Sequence, residues 1–187
     1  MPAVAGDWRQ AIFGFGSRFV LFAKEMLRHG PSFFPTTYGQ PYADYLATST
    51  LMTWLLSWPL GQVTSLTAWL PTAIASALIV TLMYRLTAPY SRRWGLLSVA
   101  ILLVSSTFIS ETRAVSLDQM LAAIALTVFY LGYAHDHFGA GKRLHWLYLL
   151  LIVGFAIRGP IGLVIPTGVL CSYYLINRQW RQLFSFG

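Results

Sequence analysis

The chain has 187 residues, of which 56% are hydrophobic and only 10% are charged, and its mean hydropathy is +0.59. Soluble globular domains carry about 25% charged residues, so this composition excludes a protein whose surface faces water all round. The net charge of +7 does not indicate nucleic-acid binding, because the basic residues stand at the ends of apolar stretches, where membrane proteins place them. The predicted fold is an all-α, polytopic bundle of membrane helices.

The N-terminal third contains no spanning segment. Residues 1–17 have no defined pattern, and residues 18–65 are predicted to form helices and a loop on the outer face of the membrane. Arg18 to Arg28 has the apolar periodicity of an amphipathic helix, and a loop rich in Pro, Thr and Gly follows over residues 31–41. Tyr45 to Leu60 is helical in pattern but too short to cross, so it is the second predicted interfacial helix.

Residues 66–187 are predicted to form the membrane bundle, with about five transmembrane helices. A span needs about 20 mostly apolar residues. The Lys and Arg counts of the connections that follow the candidate spans alternate as three, one, two, one and two. The positive-inside rule then places the connections near Glu111 and Arg158 on the outer side. The candidate spans are Leu66–Leu86, Trp94–Ile109, Ala114–Tyr133, Leu144–Ile157 and Pro160–Ile176.

Asp118 is the first candidate catalytic residue. It lies about one turn inside the third predicted span. An ionisable residue within a span is costly and therefore indicates a function. The alternative is a carboxylate that pairs with Arg113 or Arg158 near the end of the helix.

Arg158 is the first candidate ligand for a lipid phosphate. It precedes Gly159-Pro160, which should break the helix at the outer membrane face. A guanidinium binds phosphate in a bidentate manner and keeps its charge at all physiological pH values. The alternative is an arginine that extends to the membrane surface without binding anything.

Five further residues are weaker candidates. Asp44 in the outer loop is a candidate catalytic and metal-binding carboxylate, although it also fits the N-cap of the following helix. Glu111 and Arg113 are either substrate-binding residues or a plain loop ion pair. Arg18 and Glu25 are seven residues apart, hence on one helix face, and complete the candidate substrate-binding set. The four histidines show no zinc pattern.

The order of these elements resembles the GT-C membrane glycosyltransferases, particularly the protein O-mannosyltransferase-like family and the lipid A aminoarabinose transferases. The likeness runs from Arg18 to about Phe184. Arg18-Phe19 through Glu25-Met26-Leu27 is similar to the family's first periplasmic helix, and Gly39 to Tyr45 to its Gly-x-x-Tyr-x-Glu-Lys-Pro loop. Leu117-Asp118 is similar to its Leu-Asp, and Arg158-Gly159 to its Lys-Gly.

The resemblance implies an enzyme of the bacterial inner membrane that moves a sugar from a polyprenyl-phosphate carrier to a lipid, glycan or protein acceptor at the periplasmic face. In that reaction Arg158, and then Arg113, would stabilise the leaving phosphate. Asp118 would position these groups or a loop. Asp44 would accept the acceptor's proton, and the need for a divalent metal ion is left open.

The sequence departs from the family at the place of its presumed catalytic base. The family has an Asp-Glu pair just before the first periplasmic helix, where this chain has Phe15-Gly16-Ser17-Arg18. The chain also stops at Gly187, before the family does, which predicts a truncated product or a fragment. Activity of the chain alone is therefore an open question.

Two alternatives follow from these departures. One is a GT-C paralogue that binds lipid phosphate without catalysis. The other is a transporter or scaffold subunit in which Asp118 and Arg158 gate a path through the membrane. Transporters more often place such acids near the midplane of inverted repeats. Here the acids gather near one surface and no internal repeat is visible, which favours the glycosyltransferase.

Overall fold

A computed structural model describes residues 15–32, 36–37, 40–41, 48–138 and 144–179, and eight α-helices lie within these ranges. Nearly all of the described backbone is helical, which confirms the predicted all-α bundle. The helices are α1 (Phe15–His29), α2 (Thr48–Ser57), α3 (Ser65–Thr87), α4 (Arg92–Val104), α5 (Ser106–Arg113), α6 (Leu117–Phe138), α7 (Leu144–Arg158) and α8 (Pro160–Ile176).

Short elements connect α1 to α3. Thr36–Thr37 (β1) pairs with Gln40–Pro41 (β2) in an antiparallel manner, and Trp58–Leu60 forms one turn of 3-10 helix after α2. The sequence predicts an irregular loop over residues 31–41, so the strand pair is a correction. Two residues per strand are too few to produce the alternation of apolar and polar residues by which a strand is recognised.

Two helices, α3 and α6, are long and apolar enough to cross a membrane. Helices α4 and α5 pass the same test only as a pair, which is bent by 66°. Helices α7 and α8 are apolar but shorter, with 15 and 17 residues. All five predicted apolar segments therefore form helices, but by length and composition the described residues contain two spans, or three if the bent pair is one span.

Two of the helix boundaries that differ from the prediction fall at serine residues. Ser105 is extended, with φ −61° and ψ 122°, and interrupts the predicted span Trp94–Ile109. Ser116 delays the start of α6 to Leu117, because its Oγ accepts a hydrogen bond from the Gln119 N–H at 3.2 Å. Serine favours helix caps over helix interiors. The Ser116 side chain makes such a cap bond, whereas the Ser105 side chain makes none, so the Ser105 hydroxyl does not explain the break in that span.

Helices α3, α6, α7 and α8 pack together, and α1 covers the end of this group at which α6 begins. The apolar face predicted for α1 is buried and contributes two phenylalanines to the main core, which supports its description as an amphipathic helix. The buried core residues of this cluster are Phe19, Phe22, Leu117, Ile124, Val128, Leu147, Ile157, Leu170 and Tyr174.

Successive connections lie at opposite ends of the bundle. At one end, the Trp69 Nε1–H of α3 donates to the carbonyl oxygen of Thr112 at 2.6 Å, which joins the start of α3 to the α5–α6 connection. The α7–α8 break lies at this same end, here called the polar end. At the other end the hydroxyls of Tyr90 and Tyr133 are 3.0 Å apart, and the Tyr133 ring contacts that of Tyr173.

Two glycines bring α7 and α8 into backbone contact. A Cβ added at Gly162 would overlap the carbonyl oxygen of Gly154, so neither position has room for a larger residue. Between them, Gly159 adopts φ 63°, a left-handed conformation that favours glycine, and Pro160 begins α8 at the first helical position. The predicted Gly-Pro break is confirmed, and it leaves Arg158 at the polar end.

Candidate functional site

The polar end brings two predicted site residues together. Nη1 of Arg158, at the end of α7, donates to Oδ1 of Asp118 in the first turn of α6. The Arg158 side chain is 27% exposed and that of Asp118 is 64% exposed, so the ion pair lies at the surface of the bundle. The sequence predicts that Asp118 lies about one turn inside its span, but in the structure it is the second residue of α6. Its carboxylate lies beside a helix N-terminus, where negative charge is stabilised.

Arg158 retains hydrogen-bonding capacity beyond the ion pair. A guanidinium has five N–H donors, and in the described part of the chain the Asp118 carboxylate is its hydrogen-bond partner, through Nη1. The N–H donors that the ion pair leaves unused can bind a phosphate while the ion pair stays intact.

A buried hydrogen-bond network connects α6 to α3 beneath the ion pair. Ser116 is its centre: Oγ donates to Oε2 of Glu111, and the Ser116 N–H donates to Oγ1 of Thr72 at 3.2 Å. Gln119 continues the network, since its Nε2 donates to Oγ of Ser76 at 3.0 Å. Within an apolar bundle such groups must find protein partners, because lipid offers none.

The same network holds α5 against α3. Oγ of Ser76 lies 3.3 Å from Oγ1 of Thr112, whose carbonyl oxygen accepts the Trp69 indole N–H. Of the residues in this network, only Glu111 was among the predicted site residues. A signal was present, because Thr72 and Ser76 are four residues apart in an apolar helix and therefore share one face, where small hydroxyl residues commonly mark contacts between membrane helices.

The other predicted site residues are placed as follows. Glu111 is half-buried and bonds to Ser116, so it does not form the plain ion pair with Arg113; Arg113 is exposed at the end of α5. Glu25 is half-buried on α1. Asp44 and the side chain of Arg18 lie outside the described residues. Across the ranges that are described, no group of three or more His, Cys, Asp or Glu residues could hold a metal ion.

An apolar cavity of about 340 Å³ opens between α2, α3, α6 and α7. Ile157, the residue before Arg158, is part of its wall, as is Met120, two residues after Asp118. The last turn of α7 and the first turn of α6 therefore contribute to both the ion pair and the cavity wall, although neither Arg158 nor Asp118 lines the cavity. Its volume falls within the range of about 300–1,000 Å³ that is typical of small-molecule sites. Other lining residues include Met52, Pro71, Leu78 and Val153.

Comparison with solved structures identifies the same fold in ArnT from Cupriavidus metallidurans. The apo structure of that protein is 20% identical with a TM-score of 0.81, and the match covers 95% of this chain and 35% of that chain. The structure bound to undecaprenyl phosphate gives the same identity and TM-score, with 94% and 34% covered. This chain therefore spans about a third of the length of the protein it matches.

The sequence itself matches a family model. Residues 8–187 fit the model described as dolichyl-phosphate-mannose-protein mannosyltransferase. This range includes every helix and strand that the structure describes. No curated protein matches the chain at the sequence level. The family match and the apolar helices together identify a multi-pass membrane protein. The chain belongs to the dolichyl-phosphate-mannose-protein mannosyltransferase family, within the GT-C glycosyltransferases.

Proposed function

We propose that the polar end and the adjoining cavity bind a polyprenyl-phosphate sugar carrier. One observation carries this proposal: the half-buried guanidinium of Arg158 stands at the end of α7, and the last turn of the same helix contributes Ile157 to the wall of an apolar cavity. A lipid phosphate needs this combination, with a cation for its head and a dry surface for its chain. Asp118 holds the guanidinium in place, and Arg113 at the end of α5 is the second candidate cation.

The comparisons support this assignment. The solved ArnT structure includes a bound undecaprenyl phosphate, which is a polyprenyl phosphate, and the family model is named for a sugar linked to dolichyl phosphate. Both are lipids with a phosphate head and a long isoprenoid chain. Because this chain covers about a third of ArnT and shares 20% identity with it, the ligand is a proposal for this chain.

The reaction we propose is transfer of the sugar to a lipid, glycan or protein acceptor. An acceptor hydroxyl attacks the anomeric carbon, a new C–O bond forms, and the bond to the carrier phosphate breaks with its electron pair on the phosphate. Arg158 stabilises that charge. A carboxylate takes the hydroxyl proton, for which Asp44 remains the candidate, with or without a divalent metal ion. Glu25 and Arg18 on α1 remain candidates for substrate contacts.

We further propose the bacterial inner membrane as the location, with the polar end on the periplasmic face. The support is the alternation of Lys and Arg between connections. The connections at Glu111 and Arg158, which hold one such residue each, both lie at the polar end. In this arrangement residues 18–65 cover the outer face, and residues 66–187 form the bundle beneath.

Carrier binding without transfer is the second candidate function. It is favoured because Asp118 and Glu111, the two acids near the start of α6, both already have hydrogen-bond partners. Asp118 is paired with Arg158, and Glu111 accepts a hydrogen bond from Ser116. A general base needs an accessible oxygen near the acceptor hydroxyl.

Binding of undecaprenyl phosphate to the purified chain in nanodiscs tests the common part of both functions. The matched control is a polyprenol of the same length, which lacks only the phosphate. We expect the phosphate form to bind at least about tenfold more tightly, which is the value of one charge-assisted contact. Equal binding of the two lipids would contradict the proposed phosphate site. Release of free carrier phosphate from a glycosylated carrier would then separate transfer from binding alone.

A further inference from the structure

Glu111 occupies a position from which it can act on the ion pair without touching a ligand. Its half-buried carboxylate accepts a hydrogen bond from the Ser116 hydroxyl. Ser116 is buried and precedes the first residue of α6. Asp118 is the second residue of that helix, so only one residue separates it from Ser116.

Ser116 controls the first turn of α6 through three bonds at once. Its hydroxyl hydrogen is donated to Glu111, which leaves the oxygen lone pairs directed to the Gln119 N–H at 3.2 Å. Its own backbone N–H is held by Thr72. A serine hydroxyl can rotate, and its oxygen caps a helix only when the hydrogen points elsewhere. The Glu111 carboxylate fixes that rotation.

Glu111 is itself held in place by its neighbour in sequence. Thr112 bonds to α3 twice, through its hydroxyl to Ser76 at 3.3 Å and through its carbonyl oxygen to the Trp69 indole at 2.6 Å. Helix α5 is set at 66° to α4, so these contacts keep it against α3. The carboxylate therefore presents a fixed acceptor to Ser116.

We propose that Glu111 is a positioning residue, which holds Asp118 against Arg158 by fixing the Ser116 cap of α6. This differs from the substrate-binding role that the sequence suggests for Glu111. A carboxylate that faces a phosphate without a paired cation would repel it, whereas the Glu111 carboxylate, engaged by Ser116, orders the helix turn that carries Asp118. The effect on lipid binding rests on the proposed function, but the effect on α6 does not.

Two substitutions distinguish positioning from electrostatics. Glu111→Gln removes the charge and keeps an oxygen that accepts from Ser116, whereas Glu111→Ala removes both. If Glu111 acted only through its charge, both variants would bind undecaprenyl phosphate more tightly than the wild type. Positioning predicts that Glu111→Ala binds about tenfold more weakly, the ratio that corresponds to one lost charge-assisted hydrogen bond, and that Glu111→Gln binds as well as the wild type.

The ligand-independent test is hydrogen–deuterium exchange at the first turn of α6, measured on the whole chain in nanodiscs. We expect exchange there to accelerate about tenfold in Glu111→Ala and little in Glu111→Gln. Ser110→Ala is the matched control, because Ser110 is exposed on the same helix and its hydroxyl bonds within that helix, to the Thr107 carbonyl oxygen. Unchanged exchange in Glu111→Ala would overturn the proposal.

The two readouts separate failure of the positioning role from failure of the proposed function. If the wild type binds no undecaprenyl phosphate, the proposed function fails, and the exchange measurement still decides whether Glu111 orders α6. If exchange accelerates while lipid binding stays unchanged, the link from Glu111 to Arg158 is disproved. Ser116→Ala removes both the bond to Glu111 and the cap on the Gln119 N–H, so it should lose at least as much binding as Glu111→Ala. Adding Glu111→Ala to Ser116→Ala should then cause little further loss, because the bond between the two residues is already gone.

Discussion

Arg158 at the end of α7 donates to the carboxylate of Asp118 in the first turn of α6, forty residues earlier in the chain. Both side chains are exposed to some degree, and ion pairs of this kind contribute only about 0–1 kcal/mol to folding. The pair therefore matters mainly for the charge that it holds at a fixed place at the polar end of the bundle. Its removal should affect ligand binding far more than stability.

Arg158→Ala should weaken binding of undecaprenyl phosphate by about 10- to 100-fold, because a charged hydrogen bond to phosphate contributes about 1.5–3 kcal/mol. Arg158→Lys should retain part of the affinity, since lysine keeps the charge but not the planar fork. The measurement is a binding isotherm in nanodiscs, with Arg92→Ala, an exposed arginine at the start of α4, as the control. Wild-type affinity in Arg158→Ala would remove Arg158 from the site.

Leu78→Trp should narrow the cavity and weaken binding of the long-chain carrier. Leu78 lines the cavity and is 40% exposed, so the larger ring can be accommodated without disturbing the core. If the new ring keeps one isoprene unit out of apolar contact, the binding affinity should fall at least about tenfold, because each buried CH₂ contributes roughly 0.8 kcal/mol.

The specificity of this effect can be checked with a short prenyl phosphate and a second variant. Binding of the short lipid should change less than that of the long one, because it occupies less of the cavity. Leu97→Trp is the matched control, since Leu97 is 50% exposed on α4 and does not line the cavity. Equal losses in both variants would indicate a general effect of the added ring and would argue against the cavity as the chain site.

Gly162→Ala should destabilise the bundle by about 1–3 kcal/mol or more, because the new Cβ overlaps the Gly154 carbonyl oxygen and forces α7 and α8 apart. Gly168→Ala in the same helix should be neutral or stabilise by up to about 1 kcal/mol, since nothing lies within 4 Å of that position. Thermal unfolding in detergent, followed by tryptophan fluorescence, compares the two. Equal unfolding temperatures for the two variants would contradict the close contact between α7 and α8.

Thr72→Val should destabilise the protein by about 1–3 kcal/mol, because it leaves the buried Ser116 N–H without an acceptor while preserving side-chain volume. Thr81→Val is the matched control: Thr81 is exposed on the same helix, and its hydroxyl bonds only to its own helix, at the Ala77 carbonyl oxygen. Chemical denaturation of both variants gives the difference. A smaller loss for Thr72→Val than for Thr81→Val would contradict the buried network.

The helix boundaries show which local signals are reliable. The predicted spans Leu66–Leu86 and Pro160–Ile176 agree closely with α3 and α8, because continuous apolar runs and a Gly-Pro break act locally. The break at Ser105 was not predicted, and the start of α6 was predicted three residues too early, at Ala114 instead of Leu117. A single serine barely changes the mean hydropathy of a stretch, although the Ser116 hydroxyl caps α6.

The sequence alone determined that this is an all-α membrane protein, since composition and apolar periodicity are properties of the chain itself. The order of its short motifs gave the resemblance to the GT-C glycosyltransferases, which the family match confirmed. The sequence also singled out Asp118, Arg158 and Glu111. Only the tertiary structure decided their partners. Asp118 meets Arg158 rather than Arg113, and Glu111 meets Ser116, because those choices depend on how helices cross and where each one begins. The first contact joins segments forty residues apart, and the second depends on where α5 ends and α6 begins, so no local pattern records either.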